Sequence, residues 1–382
     1  MNFALTEEQK MVQEMAARLA DEHIRPAAAG LDLSHGHPEE ICRMLGELGL
    51  MGVAVPEEYG GAGMDNVSYA VSLIEISRGC ASCGVIMSVC NSLYCFPVLT
   101  YGTEEQKKRF LTPVASGEHL GCYGLTEAGA GSDPAAMLTT AVEDGDQWVI
   151  NGEKKFITNG NVSKYAVIAA VTDKEAGYKG ISSFVLDLEE TPGFKVGRVE
   201  EKLGIKASGT AELVFEEARV PKEALLGKPG EGLKQMLSTL NAGRIGIASQ
   251  AVGIGRAVIQ EAAEYAKERI QFGKPISALQ AIQFKLADMA MEIDAAELLT
   301  LRAAWLEDNH LSFESQAAMA KCFAGDAAMR AAVEGVQILG GYGYSMEYPM
   351  ERHLRDAKIT QIYEGTNEIM RLVIARNLLK AR

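Results

Sequence analysis

A single glutamate near the end of the chain has the surroundings of a catalytic base. Glu364 lies in the segment IYEGT, between Tyr363 and Gly365, and outside any polar helical face where a glutamate is ordinarily solvated. A carboxylate held against apolar neighbours has a raised pKa and is a stronger base. The residues that follow predict a helix capped by Thr366 or Asn367. Glu364 is therefore the candidate general base.

A glycine-rich loop is the second candidate for chemistry. The segment YGLTEAGAGSD at 123–133 contains glycines that permit close backbone approach, and Thr126 and Ser132 add hydroxyl donors. Together these groups suit a flat heteroaromatic ring or a phosphate. A loop of this composition is also common as an ordinary turn, and the segment alone leaves both interpretations open.

A predicted strand at 155–160, with the sequence KFITNG, carries a third candidate. The period of two along a strand places Phe156 and Thr158 on the same face. An aromatic ring beside a hydroxyl can form the wall of a site for a ring system. The alternative is that the two side chains pack on the core of the sheet.

Two predicted helix ends carry further groups. The segment RIQFG at 269–273 closes a long helix, where Arg269 can meet phosphate oxygens or only complement the helix dipole. The segment QILGG at 337–341 exposes backbone amides at a glycine-rich helix end, which is also an ordinary helix stop.

The elements that must position these residues are helical, then β, then helical. Residues 1–117 have a helical apolar period that is broken at Pro26 and at later turn signals. Residues 118–228 contain β-branched and aromatic runs that predict strands, with a tight Asn-Gly hairpin at 151–152. Residues 229–382 return to a helical period with alanine-rich segments suited to a four-helix bundle.

This order argues against a doubly wound nucleotide fold, in which strands and helices alternate throughout. No GxGxxG segment follows a predicted strand, and no GxxxxGK[ST] segment occurs. A cofactor must therefore be held by other means. The chain has 382 residues, 47% of them hydrophobic and 23% charged, as expected for two or three globular units.

Charge and apolar patterning exclude several classes of partner. The net charge of −14 repels polyanions, and no basic patch interleaved with aromatics compensates for it, so nucleic acid is not an expected partner. The N-terminus has no signal sequence, and no apolar run approaches the roughly 18 residues of a membrane span. We therefore expect a cytoplasmic protein without a membrane span.

The seven cysteines are odd in number, and most have apolar neighbours, so reduced thiols are expected. The segment CASC at 80–83 would also suit a metal or redox site. A second CxxC and nearby histidines are missing, which favours ordinary buried helical cysteines and no metal.

The chain resembles the acyl-CoA dehydrogenase family, and especially its short-chain, butyryl-CoA-type members, over essentially its whole length. Five ordered motifs at the family's spacing carry this resemblance: TEAGAGSD at 126–133, NGEKKFITNG at 151–160, RIQFGKP at 269–275, QILGG at 337–341 and IYEGT at 362–366. The resemblance implies a fold that is mainly α, with an N-terminal helical domain, a β-barrel-like middle domain and a C-terminal helical bundle. It also implies a homotetramer, a dimer of dimers, that binds FAD between subunits.

The same resemblance implies which residues bind the ligands. One subunit would contact FAD through Tyr123, Leu125, Thr126, Gly131, Ser132, Phe156, Ile157, Thr158, Thr366, Asn367 and Glu368. A neighbouring subunit would contact the same FAD through Arg269, Phe272, Gln280, Gln337, Gly340 and Gly341. The acyl-CoA would meet Ser132, Asn241, Arg244 and Gly365. Because dimerisation completes the site, a monomer should bind FAD poorly.

Glu364 matches the catalytic base of the family. Some relatives carry that carboxylate at the position of Gly243, which cannot serve here. The implied reaction removes the α-proton of an acyl-CoA by Glu364 and its β-hydride by the flavin, which yields a trans-2-enoyl-CoA. The developing enolate oxygen needs donors, and the resemblance assigns these to the Glu364 N–H and a ribityl hydroxyl of FAD. Electron-transferring flavoprotein is the implied electron acceptor.

The chain departs from the family at four positions. Asn241 replaces aspartate, Cys90 replaces the histidine of near relatives, Ala128 replaces proline, and Phe156 replaces tryptophan. Because none is the base, these differences bear on substrate choice more than on reaction type.

Two other functions share this fold. One is an acyl-CoA oxidase that passes electrons to O2, which is usually a much longer chain. The other is a flavin-binding protein that binds DNA or is purely structural. The absence of a basic patch and the presence of Glu364 argue against the second alternative.

Overall fold

The computed structural model describes residues 4–380 and places a sheet between two groups of helices, as the predicted fold class requires. The helices before the sheet are α1 (Glu7–Leu19), α2 (Arg25–Ser34), α3 (Glu39–Glu47), α4 (Asn66–Gly79), α5 (Ala81–Ser88), α6 (Phe96–Tyr101), α7 (Glu104–Gln106) and α8 (Thr112–Ala115). The longest of these, α4 with 14 residues, is buried along almost its whole length.

Three turns between these helices are widened to π-helix, and a proline follows each of them. The widened turns are Ala20–Ile24, Val89–Cys95 and Lys107–Leu111, and the prolines are Pro26, Pro97 and Pro113. A proline lacks the backbone N–H and its ring clashes with the carbonyl four residues earlier, which in each case belongs to the widened turn. The predicted break at Pro26 is therefore wrong, because the π turn accommodates the ring and the chain stays helical from α1 into α2.

The central sheet has eight strands in the order β6-β7-β3-β2-β4-β5-β8, with β1 paired to β4. The strands are β1 (Gly121–Gly124), β2 (Thr140–Asp144), β3 (Gln147–Thr158), β4 (Tyr165–Val171), β5 (Ile181–Asp187), β6 (Phe194–Val199), β7 (Thr210–Pro221) and β8 (Leu225–Leu226). The β1–β4 and β2–β4 pairs are parallel and the other pairs are antiparallel. The sheet encloses its own apolar cluster around Trp148 and Phe184, whose rings meet edge to face at 5.4 Å.

The predicted hairpin at 151–152 is wrong. β3 runs straight through Asn151 and Gly152, and its pairing with β7 shifts register at this point, so the Asn-Gly pair forms a β-bulge. A Cβ on Gly152 would lie 2.5 Å from Thr139 Oγ1, so close packing rather than a turn requires the glycine. The actual reversal lies between β2 and β3, where Gly145 has φ +65°.

Five helices follow the sheet: α9 (Gly232–Glu268), α10 (Gln280–Asp308), α11 (Glu314–Leu339), α12 (Met350–Ile359) and α13 (Asn367–Lys380). A short hairpin of β9 (Ile270–Gln271) and β10 (Lys274–Pro275) joins α9 to α10. Helix α9, with 37 residues, is the central element, and small residues let its neighbours approach. A Cβ on Gly253 would lie 2.4 Å from the Ile74 carbonyl of α4, for example.

One polar junction ties α12 to both other parts of the chain. Arg355 donates to both carboxylate oxygens of Asp32 on α2, at 3.0 and 2.6 Å. Its neighbour Asp356 accepts from the N–H of Ile205, in the loop before β7, at 2.5 Å. The residues of α12 therefore fix the orientation of the helical and β regions around the segment that leads to Glu364.

The expectation that no apolar run approaches the length of a membrane span is wrong for Ala81–Tyr101. This segment of 21 residues is long and apolar enough to cross a membrane. However, 83% of its most apolar window is buried inside the protein, as in a core helix.

All seven cysteines are free and buried, including Cys80 and Cys83. Among residues 4–380 no group of three or more His, Cys, Asp or Glu side chains could hold a metal ion.

Candidate active site

Glu364 lies in the turn that joins α12 to α13, and its carboxyl group rests on the backbone of α9. A Cβ built on Gly243 would lie 2.0 Å from Glu364 Oε2 and 2.8 Å from Leu93 Cδ2. Both Glu364 and Gly365 have positive φ, +54° and +93°. A non-glycine residue in this conformation is strained, and surrounding contacts must hold it there.

The carboxyl group of Glu364 has the electrostatic properties of a base held away from water. Part of the residue is accessible, but Oε2 is enclosed and has no hydrogen-bond partner among the described residues. Burial raises the pKa of Glu364 to about 8, while the charges of Lys321 and Arg244 act in the opposite direction. The sequence also predicts a raised pKa for Glu364, and desolvation of the carboxyl group is the cause.

The backbone N–H of Glu364 is also free. In the described part of the chain it has no hydrogen-bond partner, although the preceding Tyr363 N–H bonds to the Ile359 carbonyl. Its positive φ therefore leaves a donor available beside the carboxyl group. Thr366 caps α13, as predicted, since its Oγ1 accepts from the Ile369 N–H at 3.3 Å.

The side chain of Asn367 is directed into the fold. It is buried and donates to the Cys322 carbonyl at 3.1 Å and to Asp326 Oδ1 at 2.8 Å. Glu368 is exposed. Of the three residues predicted to meet FAD from the last helix, Asn367 therefore uses its side chain in hydrogen bonds to α11. Only its backbone could contact a ligand.

Lys321, which none of the sequence motifs includes, lies beside this turn. Its side chain is fully buried on α11, and Nζ donates to the Gly365 carbonyl at 2.6 Å and to Asn367 Oδ1 at 3.0 Å. Burial lowers the pKa of Lys321 to about 8. The signal was present in the sequence, because this lysine shares a helical face with buried Ala317 and Ala324.

The hydroxyl of Tyr363 lies in a network of hydroxyl and amide groups. The Tyr363 hydroxyl donates to Gln250 Oε1, and Gln250 Nε2 donates to the Ala81 carbonyl at 2.8 Å. One turn along α9 from Gly243, a Cβ on Gly246 would meet Ser88 Oγ at 2.3 Å and the Tyr69 hydroxyl at 2.5 Å. The face of α9 that carries Gly243 and Gly246 is therefore closed within one helical turn of Glu364.

Arg244 is nearly buried on α9 and is one of the charges that act on Glu364. One guanidinium nitrogen donates to Asn241 Oδ1 at 2.6 Å, and Nε has no partner among the described residues. Burial lowers the pKa of Arg244. Asn241 is neutral, so the carboxylates whose charges act on Arg244 are those of Glu314 and Glu364.

The glycine loop at 126–133 is held at one end by a buried ion pair. Lys154 Nζ donates to Glu127 Oε1 at 2.6 Å, and Glu127 also accepts from the N–H groups of Leu138 and Thr139 at 2.6 and 3.0 Å. Burial lowers the pKa of Lys154, whereas for Glu127 the lysine outweighs burial and the pKa is lowered. Both residues lie inside recognised motifs, but the pairing itself was missed.

Other predicted residues of this loop differ in exposure. Tyr123 is buried and donates to the Met236 carbonyl of α9 at 2.9 Å, and Leu125 is also buried. Thr126 is half-buried, while Gly131 and Ser132 are exposed. The loop thus begins in the core beside α9 and ends in solvent.

The end of β3 presents Phe156 outward. Phe156 is 58% exposed, with φ +61°, and Thr158 is half-buried, so the alternative that the pair packs on the sheet core is wrong for Phe156. The pairing of β3 with β7 shifts register between Lys154 and Ile157. These two residues are therefore both buried although they are three positions apart in the strand. Ile157, also a predicted FAD contact, has its side chain in the sheet core.

The second set of predicted FAD residues lies together around a cavity of about 650 Å³. Arg269, Phe272, Gly340 and Gly341 line it, and Gln280 and Gln337 directly neighbour lining residues and are exposed. Arg269 caps the end of α9 and lies over the ring of Tyr342. Within the described chain, the lining includes no residue of the Glu364 turn or of the glycine loop.

The backbone at both sets of residues is open to a ligand. A Cβ built on Gly131, Gly340 or Gly341 meets no atom within 4 Å, unlike most glycines of the helices. Phe272 is 89% exposed, which adds apolar surface next to Arg269. Open amides, a fixed cation and exposed aromatic rings are what a flavin and a pyrophosphate require, so these residues fit FAD.

Comparisons with known proteins agree along the whole chain. It matches three family profiles: acyl-CoA dehydrogenase N-terminal domain over residues 6–118, middle domain over 122–218 and C-terminal domain over 230–379. It is 51% identical over 377 residues to the mitochondrial short-chain specific acyl-CoA dehydrogenase of Bos taurus, which covers 99% of this chain and 91% of that protein.

Two solved structures have the same fold. Butyryl-CoA dehydrogenase from Megasphaera elsdenii superposes with a TM-score of 0.97 at 43% identity and covers 100% of both chains. A chain from a study of the electron-transferring flavoprotein of Acidaminococcus fermentans superposes with a TM-score of 0.98 at 48% identity, also over 100% of both chains.

Proposed function

Because this chain belongs to the acyl-CoA dehydrogenase family and is an FAD-dependent oxidoreductase of that family, we propose that it converts a short-chain acyl-CoA to the trans-2-enoyl-CoA. The observation that carries the proposal is the enclosed, unpartnered Oε2 of Glu364 on the backbone of Gly243. FAD, when bound, supplies the acceptor for the β-hydride and a hydroxyl donor to the thioester oxygen.

Glu364 takes the α-proton in this proposal. A general base works best when its pKa lies near the operating pH, and burial raises the pKa of Glu364 to about 8. The carboxylate form does the work, and Lys321 and Arg244 favour that form by their charge. The free N–H of Glu364 donates to the thioester oxygen as negative charge develops there.

FAD would be held by two groups of residues in this chain. The glycine loop with Phe156 and Thr158 and the start of α13 with Thr366 would hold it in one subunit. Arg269, Phe272, Gln280, Gln337, Gly340 and Gly341 would reach the FAD of a neighbouring subunit. The open backbone at Gly131 and at Gly340 and Gly341 supports this division.

The packing of α9 supports a short acyl group. The hydroxyls of Tyr69 and Ser88 close its face at Gly246, about 5 Å or one helical turn from Gly243. The Tyr363–Gln250 hydrogen bond closes the neighbouring side. Ser132, Asn241, Arg244 and Gly365 would meet the thioester and the pantetheine chain.

A homotetramer that transfers electrons to electron-transferring flavoprotein completes the proposal. Helix α10 exposes an apolar side chain at every seventh position: Phe284, Met291, Leu298 and Trp305. This spacing makes one apolar stripe, which supports burial against another subunit. Sedimentation at about four times the mass of the chain would agree with the tetramer, and a monomer with bound FAD would contradict it.

The test is anaerobic incubation of the FAD-loaded protein with butyryl-, hexanoyl- and octanoyl-CoA. Bleaching of the flavin absorbance, with enoyl-CoA detected by mass spectrometry, is expected to be fastest with the four-carbon ester. Glu364→Gln should keep its FAD and lose at least about 10³-fold in rate. Normal turnover by that variant would overturn the assignment of the base, and rapid peroxide release in air would identify an oxidase instead.

A further inference from the structure

Lys321 is a fully buried cation next to the strained turn that carries Glu364. Its side chain is 0% exposed, and its two hydrogen bonds go to the Gly365 carbonyl and Asn367 Oδ1, at 2.6 and 3.0 Å. A buried ammonium is costly unless it is paired or hydrogen-bonded. The two acceptors of Lys321 lie on either side of Thr366, immediately after Glu364 in the chain.

The turn needs such an anchor. Glu364 and Gly365 follow one another with φ +54° and +93°, and a non-glycine residue in the left-handed region is strained and must be held by its surroundings. Within the described chain, no helix or strand hydrogen bonds hold these two residues, because α12 ends at Ile359 and α13 begins at Asn367. The Asn367 N–H bonds the Gln361 carbonyl at 3.0 Å across the base of the turn, and Lys321 on α11 holds the Gly365 carbonyl, so α11 can fix the backbone beside Glu364.

We propose that Lys321 is a positioning residue for proton abstraction, which holds the Glu364 carboxyl on Gly243 through the Gly365 carbonyl and favours its ionised form by charge. This inference rests on the proposed function of Glu364. It assigns to Lys321 no contact with substrate or cofactor.

The charged and titratable groups around Lys321 and Glu364 support a role for the charge of Lys321. Arg244 acts on Glu364 by its charge from α9. Burial, with a contribution from the charge of Glu364, raises the pKa of the phenols Tyr69, Tyr123 and Tyr363, so these groups stay uncharged. Lys321 and Arg244 are the two cations that favour the carboxylate.

Asp326, a second carboxylate whose charge acts on Lys321, has other hydrogen-bond partners. Asp326 accepts from Gln361, Asn367 and Arg371, at 2.7, 2.8 and 2.7 Å. Cys322, whose pKa is raised by burial, also faces this side. Asp326 is engaged with Arg371. The positive charge of Lys321 favours the ionised form of Glu364 through space, without a direct ion pair among the described residues.

A purely structural lysine would behave differently. If Lys321 only joined α11 to the start of α13, its removal would lower stability and leave the pH dependence of the reaction unchanged. If it positions Glu364 and favours its ionisation, removal must alter the rate of proton abstraction and its pH midpoint. These two roles are separated by measuring proton abstraction alone.

The experiment compares the FAD-loaded wild type with Lys321→Met, which keeps the length of the side chain and removes its charge and donors. Acetyl-CoA has α-protons but no β-carbon, so exchange of its methyl protons in D2O, followed by NMR, reports on the base without any hydride transfer. The same proteins are assayed for butyryl-CoA oxidation between pH 6 and 10. FAD content and melting temperature are recorded for each.

Lys202→Met is the matched control. Lys202 is also a partly buried lysine whose Nζ donates to a backbone carbonyl, that of Ser208, at 2.8 Å, and burial also lowers its pKa. It lies in the loop before β7, and the charges that act on it are those of Glu200 and Asp356 rather than that of Glu364. The control should therefore keep the wild-type exchange rate and pH midpoint.

For Lys321→Met we expect exchange and kcat to fall about 30-fold with KM within about threefold, because a displaced base affects the transition state more than binding. The midpoint of the kcat/KM profile should move to higher pH by about 1, since an opposite charge has been removed. If this variant yields no holoenzyme, Lys321→Gln, which retains a donor, is measured instead, and the same shift to higher pH is required of it.

An unchanged pH midpoint and exchange rate per bound FAD would overturn the inference, whatever happens to stability. A wild-type protein that neither oxidises butyryl-CoA nor exchanges acetyl-CoA protons would instead overturn the proposed function. The two failures are thus distinguishable, because the second appears in the wild type alone.

Discussion

Gly243 on α9 and Glu364 on the turn before α13 are in direct contact. A Cβ built on Gly243 would lie 2.0 Å from Glu364 Oε2 and 3.0 Å from Glu364 Cδ. The absence of a side chain at 243 is therefore what gives the carboxyl group of residue 364 its place. Two residues 121 positions apart in the sequence thus form one site.

Gly243→Ala should displace the Glu364 carboxyl group and lower kcat by about 10- to 100-fold, because a shift of about 1 Å in a reacting group has effects of this size. FAD content should be retained, since no predicted FAD residue is touched. The measurement is anaerobic flavin bleaching by butyryl-CoA. Gly30→Ala on α2 is the control, because a Cβ there meets nothing within 4 Å, and it should keep full activity and gain up to about 1 kcal/mol.

The kcat/KM of the wild type should rise with pH and reach its plateau only above about 8. Burial raises the pKa of Glu364 to about 8, and the group accepts a proton only when ionised. Burial also brings the pKa of Lys321 to about 8, so the midpoint belongs to the pair. A profile that is already flat at pH 6 would show that the carboxyl group is ionised there and would contradict this description.

Glu364→Gln should be more stable than the wild type at high pH. A raised carboxyl pKa means that the unfolded chain ionises near the ordinary value of 4.5 while the folded chain stays protonated to about 8. The wild type therefore loses stability as pH rises through this window, and the glutamine variant does not. Urea unfolding of the two should show a difference of roughly 3–4 kcal/mol that develops between pH 5 and 8. A constant difference across that range would be the contrary result.

Lys154→Met should destabilise the protein and weaken FAD binding. Removal of one partner of a buried ion pair leaves an uncompensated charge at Glu127 and costs about 3–5 kcal/mol. Lys154→Met combined with Glu127→Leu should recover part of this loss in a double-mutant cycle. On the surface, Lys195→Met breaks a pair whose side chains are 58% and 68% exposed, and it should cost less than about 1 kcal/mol. Equal losses for the two lysines would refute a special role for the buried pair.

Local chemistry made several elements predictable. Thr366 caps α13, Arg269 ends α9 and the glycine pair at 340–341 ends α11, each as its residue type indicates. The changes between a helical and a β apolar period along the sequence were sufficient to predict the order of the elements, because the two periods differ. Where a residue has one conformational preference and no competing contact, the sequence was a reliable guide.

Predictions failed where close packing or a change of helix type overrode a local preference. Asn151-Gly152 has the composition of a hairpin, but Thr139 packs against Gly152 and the pair becomes a bulge within β3. Pro26 has the composition of a helix break, but a π turn absorbs its ring. Packing by Thr139 overrode the local preference at Gly152, and a local change of helix type did so at Pro26.

By itself, the sequence determined the identity of the base candidate, the order of helices and strands, and the motifs that a flavin and a thioester require. Only the tertiary structure decided that Gly243 meets Glu364, that Lys321 bonds the adjacent Gly365 carbonyl, that Lys154 anchors the glycine loop, and that Asn367 turns inward. The physical reason is that a carboxyl pKa depends on burial and on charges in space, and these are supplied by helices far apart in the chain. Local residue types specify what chemistry is available, and long-range packing specifies which groups perform it.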